Sequence, residues 1–197
     1  MRKFISCTVA LLVAAGAARA QSWRIGVAGG VALGTPASGY SEVTGGSPGG
    51  WGAGLAFGYR DDQYLALRID AGFGALGGAD YCVGGLGCAY IGTADYAIGG
   101  ASASALWHPI GDQHTVSPYL IAGIGWYAVR GSTTLPVTEQ ASSSTLGTPG
   151  YSAGIGVSFS RFFVQGEFMQ IAQAPVAPYW SKRQSLYSVP VTVGYWF

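Results

Sequence analysis

Two cysteines are the side chains of this sequence with the clearest chemical potential. Cys82 and Cys88 flank the glycine-rich stretch 83–87. If the chain is exported, as its first residues indicate, an oxidising compartment favours a disulfide between cysteines this close together. A pair of free thiols is the alternative, and a structural zinc site is disfavoured because it needs four ligands and no histidine lies nearby. The sequence therefore predicts a Cys82–Cys88 disulfide that closes a small loop.

Charged residues are scarce and therefore informative. They make up 10% of the chain, against about 25% in an ordinary soluble domain. Four of them interrupt segments of small or apolar residues: Arg24, Arg68, Asp70 and Glu167. Unpaired charges in a water-poor interior are costly, so we expect these side chains to form one polar network if they share an interior.

The N-terminal residues have the pattern of a secretory signal peptide. Basic Arg2 and Lys3 precede the apolar run 4–18, and the sequence Ala-Arg-Ala ends at Ala20. The apolar core is too short for a spanning helix, which needs roughly 20 apolar residues. Cleavage after Ala20 would remove three of the ten basic residues and leave seven against nine acidic ones. The predicted organisation is a cleaved peptide, 1–20, and one domain, 21–197, with no basic footprint for nucleic acid.

The domain consists of segments with alternating side chains, which predict β-strands. In one of them Leu65, Leu67 and Ile69 alternate with small and charged residues. The eight predicted strands are about 23–33, 51–59, 64–75, 92–107, 119–130, 152–159, 162–168 and 185–197. The facing of the fourth and fifth strands is not settled by their periodicity.

The connections between these strands alternate in length. Three are short and polar, at 60–63, 108–116 and 160–161, whereas the longer ones are 34–50, 76–91, 131–148 and 174–184. Short turns on one side and long loops on the other are typical of a transmembrane barrel. An even number of strands brings both ends of the chain to the same side and allows full closure. We therefore predict an all-β fold, an eight-stranded antiparallel up-and-down barrel.

Side-chain volume predicts which face of the barrel points outward. One face carries large apolar residues, and the other is built from Gly, Ala and Ser with Gln165 and the four charged residues. The interior of an eight-stranded barrel is just wide enough to be filled by side chains, so the small face suits the lumen and the bulky face meets lipid. Aromatic residues near the strand ends would form interfacial girdles: Trp23, Trp51, Tyr59, Tyr64, Trp107, Tyr119, Tyr127, Phe159, Phe162, Tyr195 and Phe197. The alternative is a secreted, lipocalin-like barrel with its apolar face inward.

Two segments carry a resemblance to a known family. The segment 118–125, Pro-Tyr-Leu-Ile-Ala-Gly-Ile-Gly, and the ending 193–197, Val-Gly-Tyr-Trp-Phe, are similar to strands of the small eight-stranded outer-membrane barrels of the OmpA, OmpX and Ail type. The resemblance implies a location in the cell outer membrane, contact with its lipid and lipopolysaccharide, and a monomer. It also implies that Val193, Tyr195 and Phe197 act as a C-terminal signal to the barrel-assembly machinery.

The positions of the two histidines disfavour catalysis. Barrels of this general kind that modify lipid A use a histidine and a serine near the outer part of the wall. This chain has His108 and His114, both in a predicted turn on the periplasmic side. We expect both to be solvated turn residues, and we expect no enzyme activity, no cofactor and no metal.

The predicted function is a structural or surface-contact role through the external loops. In the fourth loop Trp180, Lys182 and Arg183 suggest contact with lipopolysaccharide phosphates, and the alternative is a girdle tryptophan with interfacial cations. The charged lumen residues would fill and stabilise the barrel, or, as the resemblance to OmpA allows, gate a narrow pore. A narrow channel for small solutes is therefore the second hypothesis, and a secreted binder of apolar ligands is the third.

Overall fold

The computed structural model describes residues 23–35, 49–60, 63–82, 90–112, 114–134, 141–175 and 183–197. The strands are β1 (Trp23–Thr35), β2 (Gly49–Arg60), β3 (Leu65–Cys82), β4 (Tyr90–Trp107), β5 (Val116–Thr134), β6 (Ala141–Phe159), β7 (Phe162–Pro175) and β8 (Arg183–Trp196). Each strand pairs antiparallel with the next, and β8 pairs with β1. The predicted eight-stranded closed barrel is confirmed. These residues include no helix with the length and hydrophobicity of a membrane span.

Barrel closure occurs with a defined stagger. Starting at Ile25 of β1, we can step from each residue to its paired residue on the next strand until the path has gone once around the barrel. The path returns to β1 at Thr35, ten positions after Ile25. Stagger and strand number together determine tilt and diameter, and this combination gives steeply tilted strands around a narrow lumen. The Phe197 amide adds a hydrogen bond to the Ile25 carbonyl (2.8 Å), so the two ends of the barrel domain meet on the short-turn side.

Several strands extend beyond their predicted ends. β3 continues to Cys82, β5 continues to Thr134 and β6 begins at Ala141, so much of the predicted loops 76–91 and 131–148 is strand. The prediction was wrong there because Gly, Ser and Thr are typical of loops in sequence. In the barrel, the neighbouring strand provides a paired partner for most added residues, although the β3–β4 register is irregular at Gly77 and Gly78. This pairing outweighs the weak local preference.

The large apolar side chains point outward, as their volume predicted. The exposed fraction is 62% for Leu55 and 72% for Ile124. Around the barrel, outward Val, Leu, Ile and Phe residues alternate with inward small ones. The structure also settles the fourth and fifth strands, because Tyr96 and Tyr119 are buried inside whereas Leu120 is exposed.

Outward aromatic residues form two belts. Near the short turns Trp23 packs against Phe57 and Tyr59, with ring centroids 5.0 and 4.5 Å apart, and Phe162 packs against Tyr195. The second belt comprises Trp51, Phe73, Trp126, Tyr151, Phe168 and Tyr187. Trp51 and Tyr59 are eight positions apart on β2, which corresponds to a rise of roughly 20 Å on a strand tilted by about 40°. That separation is close to the apolar band, about 25 Å tall, of outer-membrane barrels.

Two residues assigned to the girdles lie in the lumen instead. Tyr119 is 3% exposed, and Tyr127 is half-buried on the same inward face of β5. A ring can face inward at these positions because a neighbouring inward residue is glycine. The Tyr119 ring lies over Gly156, and the Tyr127 ring lies against Gly150.

The interior is more apolar than the sequence suggested. At the end with the long connections an apolar group, here called the upper cluster, fills the lumen: Leu76, Tyr96, Val129, Ile171, Ala174 and Leu186. Toward the short turns two smaller apolar groups contain Phe163 with Trp196, and Leu106 with Tyr119 and Ile121. The charged residues at mid-height of the lumen, Arg68, Asp70 and Glu167, therefore lie between apolar groups.

Candidate functional site

Arg68 is the centre of the polar layer in the lumen. Its side chain is 3% exposed. Its Nε donates to Oδ2 of Asp70 (2.8 Å), and its Nη2 lies 3.6 Å from Oε1 of Glu167. Asp70 is the next inward residue on β3, whereas Glu167 reaches Arg68 from β7 across the lumen. One buried guanidinium thus joins two strands that are not neighbours.

Two further residues complete this arrangement, here called the lumen network. Nη1 of Arg68 donates to Oε1 of Gln165 (2.7 Å), and the Tyr119 hydroxyl donates to the same oxygen (3.0 Å). The amide nitrogen of Gln165 donates to Glu167. The guanidinium also lies 5.4 Å from the centroid of the Phe163 ring, an arrangement that favours a cation. The network therefore satisfies the buried charge of Arg68 from three sides.

Arg24, which the sequence grouped with these charged residues, lies in a separate cluster at the short-turn end. There Asp112 pairs with Arg60 and has its Oδ2 4.0 Å from Nη2 of Arg24. The Asp112 side chain is 8% exposed, and its backbone amide donates to the Gln63 carbonyl (2.9 Å). The β4–β5 turn is thus folded against the mouth of the barrel.

His108 lies in this turn and is 6% exposed, so the expectation of a solvated side chain was wrong for this histidine. His114 is exposed, as expected. The Ser117 hydroxyl donates to the Gly111 carbonyl (2.8 Å), so Nδ1 of His108 donates to Ser117 Oγ (2.9 Å). A serine whose proton is committed to a backbone carbonyl has no base to activate it, and the pair is structural.

We expect His108 to make the barrel less stable as the pH falls from about 6.5 to about 4. Burial, followed by the nearby Arg60 and Arg24 guanidiniums, lowers the pKa of His108 to about 4. In the unfolded chain the imidazole gains a proton near pH 6.5. Between these values the unfolded state binds the extra proton, so stability present above pH 6.5 is lost progressively toward pH 4.

Urea unfolding of the barrel in detergent at several pH values measures this effect. The pH dependence should be shallower for His108→Gln than for the unmodified chain, and His114→Gln should behave like the unmodified chain. Parallel curves for His108→Gln and the unmodified chain would contradict the assignment.

The C-terminal residues face outward beside β1. Val193 is 52% exposed and Phe197 is 71% exposed, and the Tyr195 ring packs against Phe197 with centroids 5.3 Å apart. These side chains are thus presented on the outside of the wall at the short-turn end.

The remaining predicted site residues lie outside the described residues, or have only their backbone described. Cys88, Trp180 and Lys182 are not among the described residues, and of Cys82 and Arg183 only the backbone is described. The disulfide and the lipopolysaccharide contact stay predictions. Within the ranges given above, no group of three or more His, Cys, Asp or Glu side chains could hold a metal ion.

The roles of Tyr119 and Phe163 in the network were missed at the sequence level, although signals for both were present. On β2 the inward positions are nearly all Gly or Ala, and on β5 Gly123 and Gly125 are in the same register as Tyr119. Phe163 follows Phe162 directly, so one of the two rings must face inward. In this chain the positions of the glycines on a strand therefore predict which face points inward better than hydrophobicity does.

Comparison with known proteins agrees with the geometry. No protein-family model matches the chain, and no curated protein matches it in sequence. Among solved structures, the attachment invasion locus protein Ail of Yersinia pestis, in complex with the heparin analogue sucrose octasulfate, superposes with a TM-score of 0.54 at 14% identity, covering 90% of this chain and 100% of Ail. A major outer membrane protein from Thermus thermophilus gives 0.53 at 14% identity, with coverage of 90% and 100%. The chain therefore has the fold of the small eight-stranded outer-membrane β-barrels.

Proposed function

We propose that this protein is a non-enzymatic β-barrel of the cell outer membrane that makes surface contacts at its long-connection end. The observation that carries the membrane location is the outward apolar wall between two aromatic belts. In water such a wall would be a large exposed apolar surface, which soluble monomers avoid. The closed register leaves no unpaired strand edge within the band, as lipid requires.

The surface role is supported by the length of four strands. β3, β4, β5 and β6 have 18 or 19 residues each and continue past the second aromatic belt. The four long strands are neighbours, so they project beyond the belt as one sheet. Within this sheet, β5 and β6 pair through Ser and Thr residues such as Ser132 with Ser143, which suit a contact surface in water.

Replacing residues 131–144 by an Asn-Gly turn tests the surface role, because Arg130 and Thr145 are paired neighbours that a two-residue turn can join. Bacteria that display the unmodified chain should bind host cells or immobilised matrix protein, and the shortened variant should lose that binding. In both, a band that shifts on heating in detergent gels would show an intact barrel. Equal binding by cells without the protein would overturn the proposal.

A narrow channel is the second candidate, favoured by the charged lumen network. Against it, apolar clusters narrow the lumen above and below that network. We expect no steady conductance when the purified barrel is inserted into planar bilayers. Reproducible single-channel steps would instead make transport the leading function.

Deleting Phe197 should reduce assembly of the barrel in the outer membrane without changing the stability of the folded barrel. The side chain is mostly exposed, and its backbone contributes one hydrogen bond to Ile25, so refolding in detergent should be nearly unchanged. If the terminal residues signal to the barrel-assembly machinery, the amount of heat-shifted barrel in outer membranes should fall severalfold. Phe159→Ala, another exposed aromatic at the same end, is the matched control. Normal membrane levels without Phe197 would contradict the signal.

A further inference from the structure

A cavity of about 240 Å³ lies in the lumen between the lumen network and the upper cluster. One wall is mostly backbone, because most of the inward residues that three adjacent strands place there are glycines: Gly30, Gly52, Gly54, Gly72 and Gly74, with Ala28 and Ala32 beside them. The opposite wall includes Tyr127, Phe163 and Met169. The cavity is therefore mostly apolar, with the charged residues of the network at its floor.

Most positions of the glycine wall cannot accept a side chain. A Cβ added at Gly54 would lie 2.6 Å from the Ala71 carbonyl oxygen, and one at Gly72 would lie 2.7 Å from that of Ala53. These neighbours are backbone atoms in paired strands, so they cannot move aside. The backbone of the paired strands therefore keeps the space in front of this wall open.

Charge in the cavity is unbalanced. Among the described residues, Asp70 and Glu167 line it together with one cation, Arg68. Arg68 is turned away into the protein, with 3% of its side chain exposed, whereas Asp70 is 30% exposed. The floor therefore presents an excess of one negative charge in surroundings of low polarity, where a charge is stabilised strongly by an opposite charge.

A second polar group in the cavity also has no protein partner. Ser188 lines the wall on β8 and is 3% exposed, and its Oγ makes no hydrogen bond among the described residues. A buried hydroxyl of this kind is destabilising unless something in the cavity bonds to it. It points to a ligand independently of the carboxylates.

We propose that the lumen cavity binds a small organic cation, with its apolar body against the glycine wall and its charged head at Asp70 and Glu167. The volume is adequate, since a cavity of about 150 Å³ holds benzene. This inference is independent of the surface role proposed above.

Methyl NMR on the barrel purified from outer membranes in detergent tests the proposal. The sequence has two methionines, Met1 and Met169, and Met169 lines the cavity, so ¹³C-methyl-methionine labelling gives a local reporter. Benzylammonium should shift the Met169 signal saturably, and neutral benzyl alcohol should bind at least about tenfold more weakly, as expected for the loss of a close charge pair. Equal shifts with both probes, or none, would overturn the proposal.

Two variants show whether the shift arises in the cavity. Ala28→Leu fills the space from β1 and should abolish the saturable shift, and Asp70→Asn should weaken benzylammonium binding by about tenfold or more. Heat-shifted gel mobility confirms folding, and Glu167→Gln replaces Asp70→Asn if the latter does not fold. A shift that persists in Ala28→Leu would place the cation in the micelle or elsewhere on the barrel and would refute the site.

Discussion

Replacing Arg68 with alanine should lower the free energy of unfolding by about 3–5 kcal/mol, the usual cost of removing one partner from a buried charge network. The guanidinium is 3% exposed and bonds to Asp70 and Gln165, with Glu167 at 3.6 Å. Without it, two carboxylates remain in the lumen with no nearby cation among the residues of the network. Equilibrium unfolding in urea, followed by tryptophan fluorescence or gel mobility, measures the loss.

Two comparisons test the physical cause of this loss. Arg130→Ala removes an exposed arginine on β5 and should change stability by no more than about 0.5 kcal/mol. The triple variant Arg68→Ala, Asp70→Asn, Glu167→Gln removes the charges together and should recover a substantial part of the loss. If the triple variant is as unstable as Arg68→Ala alone, packing of the arginine stem rather than unpaired charge explains the effect.

Gly194→Ala should destabilise the barrel by about 1–3 kcal/mol, the usual range for overpacking. An added Cβ would lie 2.8 Å from Cε2 of Phe163 and closer still to other atoms of that ring. Phe163 is 1% exposed and packs against Trp196, with ring centroids 5.3 Å apart, on one side and against the Arg68 guanidinium on the other. The ring can only relieve this contact by shifting against Trp196 and Arg68 or into the cavity that it lines, so the strain reaches the lumen network.

Gly166→Ala is the matched control on the neighbouring strand. No atom lies within 4 Å of a Cβ at this position, and alanine costs less conformational entropy than glycine in a strand, so we expect a gain of up to about 0.5–1 kcal/mol. Adding Phe163→Leu to Gly194→Ala should relieve part of the strain. Equal stability of the two alanine variants would show that the glycine does not accommodate the ring.

The stability predicted for the Gly194 and Arg68 variants is connected with binding in the cavity through contacts in the lumen. Phe163 and Arg68 connect the lower apolar residues with the lumen network, and the network forms the floor of the cavity. Strain at Gly194 should therefore also weaken binding of a cation in the cavity, whereas the projecting sheet lies at the other end of the barrel. Surface contact and lumen binding can thus be altered separately.

The local pattern of the amino-acid sequence determines much of this protein by itself. Alternation at period two identified all eight strands, because successive side chains in a strand point to opposite faces. The volume of Leu55 or Ile69 compared with neighbouring glycines and alanines indicated the outward face, because a narrow lumen has no room for a row of large side chains. Those two properties are carried by a single strand, so they can be determined from sequence wherever large and small side chains alternate clearly, which they do not in β4 and β5.

Only the tertiary structure decided what each inward side chain touches. Arg24 and Arg68 are both inward and charged, but the stagger of the strands places one beside Asp112 and the other beside Glu167. Tyr119 and Phe163 fit inside because glycines of other strands, Gly156 and Gly194, lie opposite their rings. His108 is buried because its turn folds onto Ser117 and the barrel mouth. These contacts join residues far apart in sequence, and their pairing depends on register and closure, which no single strand's pattern specifies.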